Sequence, residues 1–147
     1  MRAIVCGGRT VKDREAVFRN LDRIHAERPI TLVIEGGQRS WKYGKIVGGV
    51  DWFAHEWAVT RGIPVITEAA KWDDMTPPVQ VGFRNDGTRY NRLAGPRRNA
   101  VMADEHKPDI VIAFPGASGT ANMIFEAKLR GIEVLEVTYK DCFGDSA

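Results

Sequence analysis

The most informative stretch of this chain is IAFPGASGT at residues 112–120. Residues 109–114 form an apolar run rich in Val and Ile, which is typical of a buried strand. Pro115 and the two glycines that follow interrupt this run, and a helical pattern begins at Thr120. The stretch therefore predicts a strand, a glycine-rich turn and a helix start.

Other segments of the chain repeat this alternation of strand and helix. Further short apolar runs lie at residues 3–6, 31–35, 63–67 and 132–137. Near-continuous apolar runs favour strands that are buried on both faces of a parallel sheet. Helical patterns lie at residues 13–27, 51–61, 96–107 and 120–130. We therefore predict an α/β, Rossmann-like three-layer fold, with a parallel sheet of about five strands and helices on both faces.

Length and composition fit one ordinary domain. The chain has 147 residues, of which 44% are hydrophobic and 27% charged. This is close to the average for globular proteins, so we expect a single domain over residues 1–147. Two segments, at about 38–49 and 73–93, are longer than typical connections in such folds. Each either helps to form a site or is disordered decoration.

Charge and residue usage argue against several classes of protein. The formal net charge of +2 is small, so a nucleic-acid partner is not expected, although arginines crowd residues 84–98. No apolar run approaches the length that spans a bilayer. The chain leads from Met1 directly into a strand pattern, and Cys6 and Cys142 make no disulfide framework, so we expect a cytoplasmic protein with free thiols. No metal-ligand spacing is present, and we expect neither a metal nor a resident cofactor.

The turn at residues 115–120 is a candidate anion site. Its glycines, Gly116 and Gly119, let the backbone approach a ligand closely. The backbone N–H groups of Gly119, Thr120 and Ala121 would point at that ligand, and the helix dipole favours an anion there. The alternative is an ordinary turn in which Ser118 caps the helix. The candidate ligand-binding residues in this segment are Pro115, Gly116, Ser118, Gly119 and Thr120.

A second glycine turn, Gly7-Gly8-Arg9, follows the first strand. Arg9 is able to grip a phosphate with two parallel hydrogen bonds, although a surface arginine beside a flexible turn is an equal alternative. With the strand order 3-2-1-4-5, the first and fourth strands are neighbours where the winding of the sheet reverses. Ligands bind at such switch points, outside the carboxyl ends of the strands. Both glycine turns would then face one crevice.

Two further segments supply candidate residues. Gly36 and Gly37 follow the second strand, and Asp51 either caps the next helix or faces the crevice and accepts hydrogen bonds from a ribose. Arg98 and Asn99 lie in the first turns of a later helix, where a cation is unfavourable unless an anion is bound nearby. The alternative for Arg98 is a solvated basic face.

Taken together, these motifs resemble the SLOG superfamily, which includes the lonely-guy, lysine-decarboxylase-like phosphoribohydrolases and many nucleotide-binding domains. The similarity is greatest to a branch of small proteins related to the bacterial YpsA and YspA proteins. It extends over residues 2–137 and rests on Gly8-Arg9, Gly36-Gly37, Gly49-Val50-Asp51, Trp57-Ala58, Trp72, residues 94–99 and residues 115–120. Residues 38–48 and the long segment between Trp72 and Ala94 depart from the family pattern.

The resemblance implies that the chain binds a nucleotide-derived ligand, such as a nucleoside phosphate or an ADP-ribose-like molecule, and forms a homodimer. The dimer contact would come from the helix with Trp57 or from the helix with Ile124 and Leu129. Two functions remain open, namely a sensor or sequestering domain and a hydrolase that cleaves an N-glycosidic bond. The hydrolase branch has a glutamate at the position of Met123, so binding without catalysis is slightly favoured. For a hydrolase, the candidate catalytic residues are Arg98, Asp51 and Glu126.

Overall fold

A computed structural model describes residues 1–144 of the chain, and a parallel sheet forms the centre of the molecule. The strands are β1 (Arg2–Cys6), β2 (Leu32–Glu35), β3 (Ser40–Lys42), β4 (Lys45–Gly48), β5 (Val65–Thr67), β6 (Val81–Phe83), β7 (Arg89–Asn91), β8 (Ile110–Ala113) and β9 (Glu133–Glu136). The helices are α1 (Arg14–Glu27), α2 (Val50–Thr60), α3 (Ala94–Glu105), α4 (Ser118–Leu129) and α5 (Tyr139–Phe143).

The central sheet has the order β5-β2-β1-β8-β9, and all of its pairs are parallel. These five strands match the five apolar runs of the sequence in chain order. The observed order is therefore 3-2-1-4-5, and the predicted Rossmann-like α/β fold is confirmed. Strands β1 and β8 are direct neighbours, which brings the turns that follow them to the same edge of the sheet.

The sheet separates two hydrophobic cores. Side chains alternate between its faces, so Val5 and Ile112 contribute to one core while Ile4 and Val111 contribute to the other. The first core also contains buried residues of α1 and α2, and the second contains residues of α3 and α4. Burial on both faces explains why the central strands β1 and β8 are almost continuously apolar instead of alternating.

The two long connections contain secondary structure that the sequence did not indicate. Strands β3 and β4 form one antiparallel hairpin, and β6 and β7 form another, so these segments are ordered elements and not disordered decoration. Helix α5 was also not predicted. Trp57 is completely buried and packs in the first core.

Within residues 1–144, no helix combines the length and the apolar character needed to cross a membrane. Cys6 and Cys142 are both buried and free, as expected. His55 and His106, which have no evident partners in the sequence, contact Glu35 at 3.1 Å and Glu68 at 3.0 Å.

Candidate functional site

An open crevice of about 1720 Å³ lies at the carboxyl edge of the central strands. The turns after β1 and β8 meet there, because the backbone N–H of Gly8 donates to the carbonyl oxygen of Pro115 at 2.8 Å. Twelve candidate residues line the crevice, namely Gly7, Gly8, Arg9, Gly36, Asp51, Arg98, Asn99, Pro115, Gly116, Ser118, Gly119 and Thr120. The structure thus brings together nearly all of the residues selected from the sequence.

The glycines of the two turns are packed too closely to carry side chains. A Cβ atom on Gly116 would lie 2.1 Å from Oγ1 of Thr120 and 2.9 Å from the amide nitrogen of Gly8. A Cβ atom on Gly7 would lie 2.6 Å from a methyl group of Val50 at the start of α2. Close backbone contact, rather than flexibility, therefore accounts for these glycines.

The N-terminus of α4 opens into the crevice without a side-chain cap. Ala117 is the N-cap residue and Ser118 is the first helical residue, so the alternative in which Ser118 caps the helix is wrong. The N–H of Ala121 donates to the carbonyl oxygen of Ala117, which removes it from the expected set of free donors. The N–H groups of Ser118, Gly119 and Thr120 remain without intrahelical partners and carry the positive end of the helix dipole.

Arg9 provides a cation at the rim of the same crevice. Arg9 is exposed, and its backbone carbonyl oxygen accepts a hydrogen bond from Oγ of Ser40 at 2.5 Å. Its guanidinium makes no hydrogen bond or ion pair with any residue in the described part of the chain. All of its donors are therefore available to a ligand.

Asp51 faces the crevice and does not cap α2. Gly49 is the N-cap residue of that helix, which has no side-chain cap. Asp51 is 5% exposed, and its Oδ2 atom accepts from the backbone N–H of Gln38 at 3.0 Å. Burial raises the pKa of Asp51 to about 6, although the Gln38 hydrogen bond and Arg98 oppose this rise. The carboxyl group is therefore able to gain or lose a proton near neutral pH.

Arg98 lies beside this carboxyl group and is fixed by two partners. Its Nη1 atom donates to the carbonyl oxygen of Gly36, and its Nε atom donates to Oδ1 of Asn99 at 2.9 Å. Burial lowers the pKa of Arg98, and the nearby Asp51 and Glu35 carboxylates oppose that effect. Asn99 in turn donates to the carbonyl oxygen of Gly119 at 3.3 Å and to Asn122 at 3.0 Å. Arg98 is thus fixed at Gly36 and connected through Asn99 to the first turn of α4, and it is not part of a solvated face.

Two candidate residues lie away from the crevice lining. The N–H of Gly37 donates to Glu35 at 2.7 Å, and this glycine has a positive φ of 78°. Glu126 forms an ion pair with Arg130, which also binds Asp104 at 2.6 Å. The structure therefore does not bring Glu126 to the candidate site. Met123 lines the crevice but is 1% exposed and packs in the second core.

A buried polar network below the crevice was missed in the sequence. Glu35 is 0% exposed and binds Arg39 at 2.9 Å, Thr67 at 2.5 Å and His55 at 3.1 Å. Burial would raise the pKa of Glu35, but hydrogen bonds from Arg39, Thr67 and the backbone of Gly37 lower it. Since Arg39 directly precedes β3, the network fastens the β3–β4 hairpin to the central sheet. The sequence contains one signal of this network, namely Glu35 as the single acid at the end of the apolar strand β2. A buried carboxylate of this kind needs hydrogen-bonding partners.

Comparison with known families agrees with this geometry. The model of the YspA, cpYpsA-related SLOG family matches residues 1–74. The matched part contains the Gly7 to Arg9 turn, Gly36 and Asp51. In the comparison with curated proteins, no sequence matches the chain.

Proposed function

The chain belongs to the YspA, cpYpsA-related SLOG family, and from this premise we propose that its crevice binds the phosphate of a nucleotide-derived ligand, either a nucleoside phosphate or an ADP-ribose-like molecule. The protein would act as a sensor or sequestering domain for that ligand. One observation carries the proposal. The Gly8–Pro115 hydrogen bond joins two glycine turns, so that the uncapped N-terminus of α4 and the Arg9 guanidinium, which has no partner among residues 1–144, share one crevice.

Each part of this arrangement suits a phosphate group. The first N–H groups of α4 are donors that point in one direction, and the helix dipole favours negative charge at that end. The guanidinium of Arg9 matches the geometry of phosphate oxygens and forms charge-assisted hydrogen bonds with them. Absence of side chains on Gly8 and Gly116 lets the two turns pack against each other, which places both backbones at the same crevice.

The proposal is tested by calorimetric titration with the common nucleoside monophosphates and diphosphates and with ADP-ribose, after mass spectrometry of small molecules that copurify with the protein. Arg9→Gln should weaken binding by about 1.5–3 kcal/mol, the range for hydrogen bonds to charged groups. Arg89→Gln is the matched control, because Arg89 is exposed and lies outside the crevice lining. Equal losses in both variants, or no binding of any of these ligands by the wild type, would contradict the proposal.

Asp51 favours a second candidate function, hydrolysis of an N-glycosidic bond in the ligand. Cleavage builds positive charge on the sugar, which a carboxylate stabilises, and a carboxylate also orients or deprotonates the attacking water. Among residues 1–144, the carboxylates in the lining are Asp51 and Asp13, and Asp13 is engaged as the N-cap of α1. Burial raises the pKa of the Cys6 thiol, so this neighbour stays protonated and is not a nucleophile.

Incubation with nucleoside monophosphates and ADP-ribose, with chromatography for the free base, separates the two functions. If the protein is a hydrolase, Asp51→Asn should abolish turnover while Glu126→Gln retains it, since Glu126 is paired with Arg130 outside the crevice. Tight binding without release of base would exclude hydrolysis of these ligands and support the sensor or sequestering role.

A further inference from the structure

One wall of the crevice is formed by a single face of α3. The residues of this face that belong to the lining are Gly95, Arg98, Asn99 and Met102. Their spacing of i, i+3, i+4 and i+7 places them on the same side of a helix. Gly95 lies one turn before Arg98, about 4.5 Å along the helix axis. The proposed phosphate contacts do not use this first turn of α3.

The indole ring of Trp72 covers this first turn. A Cβ atom on Gly95 would lie 3.0 Å from Cη2 and 3.6 Å from Cζ3 of the ring, so the ring packs directly on the helix backbone. Trp72 is only half-buried and belongs to the crevice lining. An accessible aromatic side chain therefore lies one helical turn from Arg98, on the same wall of the crevice.

Contacts with the β6–β7 hairpin fix the orientation of Trp72. Its ring meets the ring of Tyr90 edge to face, with the centroids 6.0 Å apart and an interplanar angle of 76°. Its carbonyl oxygen accepts from the backbone N–H of Asn91 at 2.8 Å. Tyr90 in turn lies over Gly82, where a Cβ atom would be 2.6 Å from the Cζ atom of Tyr90. Trp72 is thus held in one position before any ligand binds, which lowers the entropic cost of binding.

Three donors on this wall have no hydrogen-bond or ion-pair partner among residues 1–144. They are the indole N–H of Trp72, the hydroxyl group of Tyr90 and the guanidinium of Arg92, and all three residues line the crevice. Arg92 shares a face of the hairpin with Tyr90, because a Cβ atom on Gly82 would also lie 2.9 Å from Nε of Arg92. Trp and Tyr usually find partners for these polar groups when their rings are packed. An aromatic surface with free donors at its edge suits a flat ligand that carries hydrogen-bond acceptors, as a nucleobase does.

We propose that Trp72 is the nucleobase-binding residue of the crevice, with its indole ring stacking on the base and Tyr90 holding that ring in place. The inference rests on the proposed function, because it requires the phosphate to lie at the glycine turns. A nucleotide whose phosphate lies at the N-terminus of α4 passes Arg98 and brings its base to Trp72. Trp72 then distinguishes nucleotides from sugar phosphates that have no base.

The test compares ligands with and without a base. Wild-type protein and its variants are titrated by calorimetry with adenosine, guanosine, cytidine and uridine monophosphates and with ribose 5-phosphate. Trp72→Leu should weaken binding of the preferred nucleotide by about tenfold or more, as expected for loss of base stacking, and leave ribose 5-phosphate unchanged. Trp72→Phe retains an aromatic ring and should retain most of the nucleotide affinity. Trp41→Leu is the matched control, because Trp41 is 64% exposed on β3 and lies outside the lining.

The outcomes separate this inference from the function on which it rests. If nucleotides and ribose 5-phosphate bind equally well and Trp72→Leu changes neither, the phosphate site stands and the nucleobase subsite is wrong. Equal losses for both ligands in Trp72→Leu would show that Trp72 only supports α3 and Arg98, which also overturns the inference. Equal nucleotide losses in Trp72→Leu and Trp72→Phe would do the same, because stacking needs an aromatic ring and not indole alone. If the wild type binds none of these ligands, the proposed function itself fails and the subsite fails with it.

Discussion

Gly8 and Pro115 are joined by a backbone hydrogen bond of 2.8 Å, although they follow strands from opposite halves of the chain. The same contact brings the Cα atom of Gly116 within 3.6 Å of the point where a Cβ atom of Gly8 would lie. The two turns therefore form one continuous backbone surface. Its shape depends on the absence of side chains at both positions.

This packing predicts that Gly116→Ala destabilises the protein. The new Cβ atom would overlap with Oγ1 of Thr120 and press against the Gly8 amide. We expect the free energy of unfolding to fall by about 1–3 kcal/mol, which is typical of overpacking. Urea denaturation followed by circular dichroism measures it.

Gly119→Ala is the matched control for that measurement. A Cβ atom on Gly119 meets nothing within 4 Å, and the residue lies in the first turn of α4. Alanine favours helix over glycine, so this variant should be as stable as the wild type or slightly more stable. Similar destabilisation in both variants would show that the close contact between the turns is unimportant.

The centre of the sheet was predictable because β1, β2 and β8 are covered on both faces. That burial makes residues 3–6 and 110–114 continuously apolar. The hairpins lack such a signal. The β3–β4 turn has Tyr43 and Gly44 at its two central positions, with φ of 51° and 74°. Hairpin turns with two positive φ angles usually have Asn-Gly or Asp-Gly at these positions, so the sequence did not indicate a turn here. Strands β6 and β7 have three residues each, which is too short to show a hydrophobic periodicity.

The site was predictable at its glycines and less so at its polar groups. A glycine turn after a strand has few structural solutions, so the lining at Gly8 and Gly116 followed from the sequence. For Asp51 and Ser118 the sequence allowed a capping role, and only the tertiary structure shows that neither caps its helix. The partners of Glu35 are Arg39 in an inserted segment, His55 on α2 and Thr67 on the edge strand β5. The local sequence around Glu35 does not indicate that these three side chains meet it.

Arg98→Ala should weaken binding of the nucleotide ligand. The guanidinium is held by Gly36 and Asn99 in the crevice lining, so it adds positive charge to the candidate phosphate site. We expect a loss of about 1.5–3 kcal/mol, measured by thermal-shift titration with the nucleotide that the wild type prefers. Arg97→Ala serves as control, since the neighbouring Arg97 binds Pro78 and lies outside the lining. Equal affinity in the Arg98 and Arg97 variants would remove Arg98 from the site.

Asp51 gives the stability of the ligand-free protein a defined dependence on pH. Burial raises the pKa of this carboxyl group from 3.8 to about 6, so the folded state holds its proton more tightly than the unfolded state. The resulting destabilisation is absent below pH 3.8, grows as the pH rises to about 6 and is complete above that value. Asp51→Asn should therefore raise the free energy of unfolding at pH 7.5, by at most about 3 kcal/mol at 1.36 kcal/mol per pKa unit, and have little effect at pH 4.

Urea denaturation at both pH values measures this difference. Asp104→Asn is a control for which the expected change in the free energy of unfolding has the opposite sign. The bond to Arg130 lowers the pKa of Asp104, so the charge of this carboxylate is favourable in the folded state. It should not stabilise the protein at pH 7.5. An effect of Asp51→Asn that is the same at pH 4 and pH 7.5 would contradict the titration of Asp51 in this range.

The exposed face of α4 predicts a homodimer. Phe125 and Leu129 are 59% and 68% exposed, whereas Trp57 of α2 is completely buried, so we place the contact on α4. Large apolar side chains that cluster on one helix face often mark an interface, and symmetric dimers are the commonest oligomers. Leu129→Glu should therefore convert the dimer to a monomer in sedimentation equilibrium, because a charge would be buried at the symmetric contact. Val59→Glu introduces the same charge at a residue that is 62% exposed on α2, and it should leave the dimer intact. A wild-type protein that remains monomeric at high concentration, or a dimer that survives Leu129→Glu, would show that this face is not the interface.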